Sequence, residues 1–117
     1  MAANETEIQQ QIRLACSCGP VRLWRNNSGS LPDPRTGRYV QFGVGSPGGS
    51  DLIGYRKVKI TPDMVGTEIA VFAAVEVKTA KGRATEQQKA FIKHIRNAGG
   101  LAGVARSVDE AKSILLN

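Results

Sequence analysis

Apolar residues recur at helical spacing near both ends of the chain, and at strand spacing or in unbroken runs between them. Ile8, Ile12 and Ala15 fall on one helical face. Asn4 can cap that helix, Glu7 three residues on completes a capping box, and Gly19-Pro20 ends it. Residues 21–25 alternate as a strand, Val21, Leu23 and Arg25 against Arg22 and Trp24. Asn26-Asn27-Ser28-Gly29 reads as a turn, residues 31–37 as a proline-rich basic loop, and residues 39–44 as a second strand. A glycine-rich turn over 45–50 leads into a third strand, 51–56, and residues 61–66 turn again.

Residues 69–77 are nearly all apolar and rich in valine, which predicts a strand covered on both faces. Lys81-Gly82-Arg83 is a loop, and Thr85 caps a helix from Glu86 to about Ala98. Its apolar stripe is Phe91, Ile92, Ile95 and Ala98, and Gly99-Gly100 closes it. Residues 101–105 form a last strand, and Ser107 caps a final helix ending near Leu116. Short turns join the early strands as in an antiparallel meander, whereas the strand–helix–strand passage over 69–105 requires a parallel crossover. The expectation is an α/β fold with one mixed central sheet flanked by helices.

At 117 residues the chain suits one domain, 1–117, with a single core. No stretch approaches the roughly 20 apolar residues of a membrane span. The first ten residues lack the features of a signal peptide, so no membrane partner and a cytoplasmic location are expected. Cys16 and Cys18 have no second cysteine pair, and His94, the single histidine, is far away in sequence. A zinc site or a disulfide is therefore not expected, and His94 reads as a surface residue. The net charge of +6 favours an anionic partner, nucleic acid being the commonest. The positive residues are spread along the chain, with modest concentrations at 22–25, 35–38, 56–59 and 78–83, as suits a folded surface that follows a phosphate backbone.

Val75-Glu76-Val77-Lys78 places two charges at the end of the most hydrophobic strand. Alternation puts Glu76 and Lys78 on one face, about 7 Å apart along the chain. Burying either charge costs several kcal/mol unless it is paired or bound to a metal; the plainer alternative is a strand emerging into solvent. Asp51, after the glycine-rich turn, brings a second carboxylate to a strand terminus. Two carboxylates suit Mg²⁺, which prefers oxygen ligands and keeps several waters. Such an ion activates a phosphodiester and a water, and a nearby lysine can orient that water or neutralise developing charge.

Gly49-Ser50-Asp51-Leu52-Ile53-Gly54 followed by Glu76-Val77-Lys78 resembles the motif of the PD-(D/E)XK nuclease superfamily. Residues 82–91, with Gln87 and Gln88, and the Gly99-Gly100 turn narrow the resemblance to the VRR-NUC family. The chain is similar to its short stand-alone phage and bacterial members, from Glu5 to about Ala111. Ser50, where the superfamily name has proline, departs from the pattern at a position that carries no ligand. The resemblance implies a restriction-endonuclease-like fold and a Mg²⁺- or Mn²⁺-dependent DNA endonuclease. Its metal ligands would be Asp51, Glu76 and the Val77 carbonyl, with Lys78 catalytic.

A helix glutamine in the family's site matches Gln88 better than Gln87, because Gln88 lies three residues before Phe91 on the core-facing stripe. A first-helix glutamate is also implied. Glu5 is favoured, on the face of Ile8 and Ile12, whereas Glu7 is accounted for by the capping box. The similar stand-alone members pair as homodimers resembling junction resolvases, which implies branched, four-way-junction DNA as substrate. Flaps or linear duplex DNA, or a non-catalytic basic DNA-binding module, are the alternatives.

Arg25 and Asn27 in the polar turn, and Lys81 and Arg83 in the basic loop, are candidate DNA contacts, although a plain hairpin turn explains the asparagine equally well. The glycines over 43–49 are followed by no Gly-Lys-Ser/Thr, so no nucleotide P-loop is expected. Trp24 suits either a core or a dimer contact.

Overall fold

The computed structural model describes residues 3–116. The chain divides into two compact units, with the boundary between Val58 and Lys59.

In the first unit, α1 (Glu5–Cys16) is followed by β1 (Val21–Arg25), β2 (Gly29–Pro32), β3 (Tyr39–Phe42) and β4 (Leu52–Arg56). Asn4 caps α1 through its side-chain oxygen, which accepts from Glu7 N at 2.8 Å. Glu7 returns only to the Asn4 side-chain amide, at 3.4 Å, so the expected capping box forms by half. The helix packs on β1, yet Ile8 and Ile12 stay 44% and 43% exposed, and the face expected to turn inward holds no buried residue. Trp24 is half-buried and stacks obliquely on Tyr55 across the sheet, ring centroids 5.7 Å apart. Cys16 and Cys18 are free and exposed at the end of α1.

The expected meander is replaced by a nested arrangement. β1 pairs antiparallel with β4, from Val21↔Arg56 to Arg25↔Leu52, and the β2–β3 hairpin is inserted between them in sequence. Residues 29–32, expected as the edge of a turn and a loop, are therefore a strand. Pro32 is tolerated because it stands at the strand end, where its missing N–H costs little.

The second unit contains a short 3₁₀ turn (Pro62–Met64), β5 (Ala73–Val77), α2 (Glu86–Asn97), β6 (Leu101–Ala105) and α3 (Val108–Leu115). β5 and β6 pair in parallel from Ala73↔Leu101 to Val77↔Ala105, joined by α2 as the crossover requires. Ser107 caps α3, its side chain accepting from Glu110 N. Both helices pack on this strand pair, and the most buried apolar side chains among the described residues, Ile95, Ala102 and Ala105, are at that junction. Gly103 makes the packing of α3 possible: a Cβ there would stand 2.8 Å from Ile114 Cδ1.

The expected doubly covered strand over 69–77 is shorter, beginning at Ala73; Ile69 and Val71 lie outside any regular element and are half-exposed. An apolar run marks burial or extension, and here only its second half finds a hydrogen-bonding partner. His94 is half-buried, only partly at the surface. Three helices with antiparallel and parallel strands make a mixed α/β protein consistent with a restriction-endonuclease-like fold, although the strands form three two-stranded sheets rather than one continuous sheet among the described residues. No helix among those residues is long and apolar enough to cross a membrane.

Candidate active site

β5 is apolar up to Val75, and its next inward-facing position is Glu76. Strand alternation puts Ala74, Glu76 and Lys78 on one face and Val75 with Val77 on the other. Val75 pairs with Gly103, whose face lies under Ile114 of α3. The Glu76 face is turned to α2 instead: Ala74, Glu76, Gln88, Phe91 and Ile92 are among the residues lining a pocket of about 480 Å³.

Lys78 Nζ stands 3.6 Å from Glu76 Oε1, and the two side chains are only 21% and 30% exposed. An exposed pair of this kind contributes about 0–1 kcal/mol and is easily solvated apart. This pair is partly withdrawn from water and so lies between a solvated surface pair and a buried one. The separation is longer than the roughly 2.7–2.9 Å of a charge-assisted hydrogen bond, which leaves the carboxylate oxygens able to take a harder partner.

The backbone beneath is firm, because the Lys78 N–H continues the ladder one residue beyond β5 by donating to Ala105 O at 3.1 Å. Val77 points the other way and is 75% exposed.

α2 brings Gln88 to the same pocket. Its side chain is half-buried where Gln87 is exposed, but both glutamines line the pocket. Gln88 also completes a capping box with Thr85, a local role that the sequence leaves open. After Lys78 the chain turns through residues 79–84, where Lys81 and Arg83 are exposed. The Arg106 guanidinium donates to Gly82 O at 2.7 Å and braces the middle of this loop. Arg106 gave no signal in the sequence, since the contact spans 24 residues.

In the first unit, Asp51 is exposed and immediately precedes β4. Its carbonyl accepts from Asn26 N at 2.8 Å. Arg25 and Asn27 are exposed on either side of Asn26, and Glu5 is exposed at the first position of α1. The structure therefore brings Glu76, Lys78 and Gln88 together within the second unit, while Asp51, Glu5, Arg25 and Asn27 belong to the first.

Half-buried carboxylate oxygen beside a pocket is a hard donor, which fits Mg²⁺ or Mn²⁺ and not a soft-metal site. Among the described residues no three His, Cys, Asp or Glu side chains gather as a cage; an ion that keeps its waters needs only one or two carboxylates plus substrate oxygens.

Fold and site together describe a nuclease-type α/β domain. The family model for the VRR-NUC domain matches residues 4–109, nearly the whole chain, and the chain belongs to the VRR-NUC family, a nuclease domain with DNA as substrate. No curated protein and no solved structure matches it significantly.

Proposed function

We propose that the chain is a Mg²⁺- or Mn²⁺-dependent endonuclease that hydrolyses phosphodiester bonds in DNA and acts as a homodimer on branched DNA, four-way junctions in particular. The observation that carries the chemistry is the half-buried Glu76–Lys78 pair beside the α2 pocket. Glu76 and Asp51, with the Val77 carbonyl, would hold the ion; Asp51 and Val77 enter on the family motif. When bound, the ion supplies Lewis acidity toward the phosphodiester.

Lys78 donates to the attacking water or to a phosphate oxygen as charge builds there, the kind of stabilisation that a preorganised, partly dry site makes strong. The Gln88 side-chain oxygen is engaged in its cap, so the amide nitrogen is the part that can donate into the pocket. Glu5 joins the site as the first-helix carboxylate of the family. Arg25, Asn27, Lys81 and Arg83 are exposed donors suited to phosphate oxygens. Junction selectivity and the homodimer rest on the family resemblance, since a two-fold pair offers two sites for symmetric cuts. The cytoplasm is the compartment where such DNA is met.

The test is Mg²⁺-dependent cleavage of a synthetic four-way junction beside flap and linear duplex DNA, with Glu76→Ala as control. Cleavage by the wild type and none by Glu76→Ala is the expected result. Preference for flaps or duplex ends would keep the chemistry and change the substrate. Binding with no cleavage under Mg²⁺ or Mn²⁺ would leave a DNA-binding module.

A further inference from the structure

Asn26, between β1 and β2, carries more long-range hydrogen bonds than a turn residue needs. Its Nδ2 donates to Val44 O at 2.9 Å and to Ser50 O at 3.0 Å, and its Oδ1 accepts from Val44 N at 2.9 Å. Both amide hydrogens and the amide oxygen are thereby engaged. Its backbone N–H donates to Asp51 O at 2.8 Å.

These bonds have a specific geometric effect. The peptide plane before the Asp51 Cα carries Ser50 O, and the plane after it carries Asp51 O. Rotation of those two planes is what φ and ψ of Asp51 describe, and both are tethered to Asn26. The direction in which the Asp51 Cα–Cβ bond leaves the backbone is therefore set from one residue 25 positions upstream, whose side chain holds the plane before Asp51 and whose backbone N–H holds the plane after it. The glycine-rich loop is drawn in so far that a Cβ at Gly49 would fall 1.9 Å from Val44 O and 3.2 Å from Asn26 Nδ2.

We infer that Asn26 is a positioning residue for Asp51, holding that carboxylate in the orientation that metal binding requires. This rests on the reading of Asp51 as a metal ligand. Groups that orient a ligand commonly change metal affinity by about 10- to 100-fold when removed, and a residue that only closed a turn would alter stability alone.

The experiment is calorimetric titration of the full chain with Mn²⁺, alongside thermal melting, for wild type, Glu76→Ala, Asn26→Ala and Asn26→Asp. Asn26→Ala removes all three side-chain bonds. Asn26→Asp keeps the shape and the acceptor for Val44 N, loses both donated bonds, and serves if the alanine variant does not fold. Its added carboxylate would by itself attract a cation, so weakened binding there reports geometry and not charge. The expected result is loss of Mn²⁺ binding in Glu76→Ala and an affinity about 10- to 100-fold weaker in the folded Asn26 variants, with cleavage by those variants restored at high Mn²⁺. Wild-type Mn²⁺ affinity in a folded Asn26 variant, with Glu76→Ala defective, would overturn the role of Asn26 and leave the metal reading standing. Equal binding by wild type and Glu76→Ala, or none by either, would overturn the metal reading and this inference with it.

Discussion

The side-chain oxygen of Gln88 accepts from the Thr85 backbone N–H at 2.9 Å, while the Gln88 N–H donates to Thr85 Oγ1 at 3.1 Å. One glutamine thus closes the first turn of α2 and lines the pocket beside Glu76. Its part in stability and its proposed part in the chemistry can be separated, because the cap uses only the acceptor end of the amide.

Gln88→Glu keeps that acceptor, and glutamate is a natural partner in a capping box. Its melting temperature should match the wild type, while cleavage falls because a donor is replaced by a second negative charge beside Glu76. Thr85→Ala should do the opposite, losing about 1 kcal/mol of stability with little change in the rate of the folded protein. Denaturant unfolding and single-turnover cleavage on both variants decide it. A Gln88→Glu protein that cuts at the wild-type rate would reduce Gln88 to a cap.

Lys78→Ala should lower the cleavage rate at saturating metal by about 10²-fold or more, the range of one positioned catalytic group. Mn²⁺ affinity should change far less than in Glu76→Ala. A Lys78→Ala protein defective in Mn²⁺ binding but normal in turnover at saturating metal would place the lysine outside the chemical step.

Gly103→Val should destabilise the second unit by about 1–3 kcal/mol through overpacking, since the first added carbon already meets Ile114 Cδ1 at 2.8 Å. Ile114→Ala in the same background should recover part of the loss. Thermal melts of the two variants would show whether α3 and β6 are packed this closely.

Light scattering at micromolar protein should give a dimer. The dimer is expected from the family resemblance, and Ile60, Val65, Val77 and Leu116, each at least 75% exposed, are apolar side chains available to such an interface. Junction binding should weaken steeply between about 50 and 200 mM salt, as contacts to several phosphates require; the sixteen Lys and Arg residues supply them. A monomer that stays monomeric on junction DNA would leave a nicking nuclease, and salt-insensitive affinity would contradict a surface that follows the backbone.

What could be read from the sequence is what local chemistry specifies. Asn4, Thr85 and Ser107 cap their helices because each side chain reaches only two or three residues along the chain. The face shared by Glu76 and Lys78, and the inward turn of Gln88, follow from strand and helix periodicity. Pairing is a different matter. Residues 29–32 looked like loop because Leu31-Pro32 carries no strand pattern of its own, and only the partner strand at 39–42 makes it one. Asn26 looked like turn chemistry because its bonds to Val44 and Ser50 cross 18 and 24 residues. No window of neighbouring residues contains that information.

The ladder between β5 and β6 runs one step past the strand, through the Lys78 N–H and the Ala105 carbonyl. Glu76 and the Lys78 backbone are therefore carried by a strand whose partner, β6, holds Ala102 and Ala105, two of the most buried apolar residues among those described. Paired segments beside a buried core open at higher free energies than helix ends and surface loops, which fray first. The two candidate groups, Glu76 on β5 and Lys78 just past it, should accordingly keep their spacing until the second unit itself unfolds, so that loss of their geometry on warming is one cooperative event and not a gradual loosening.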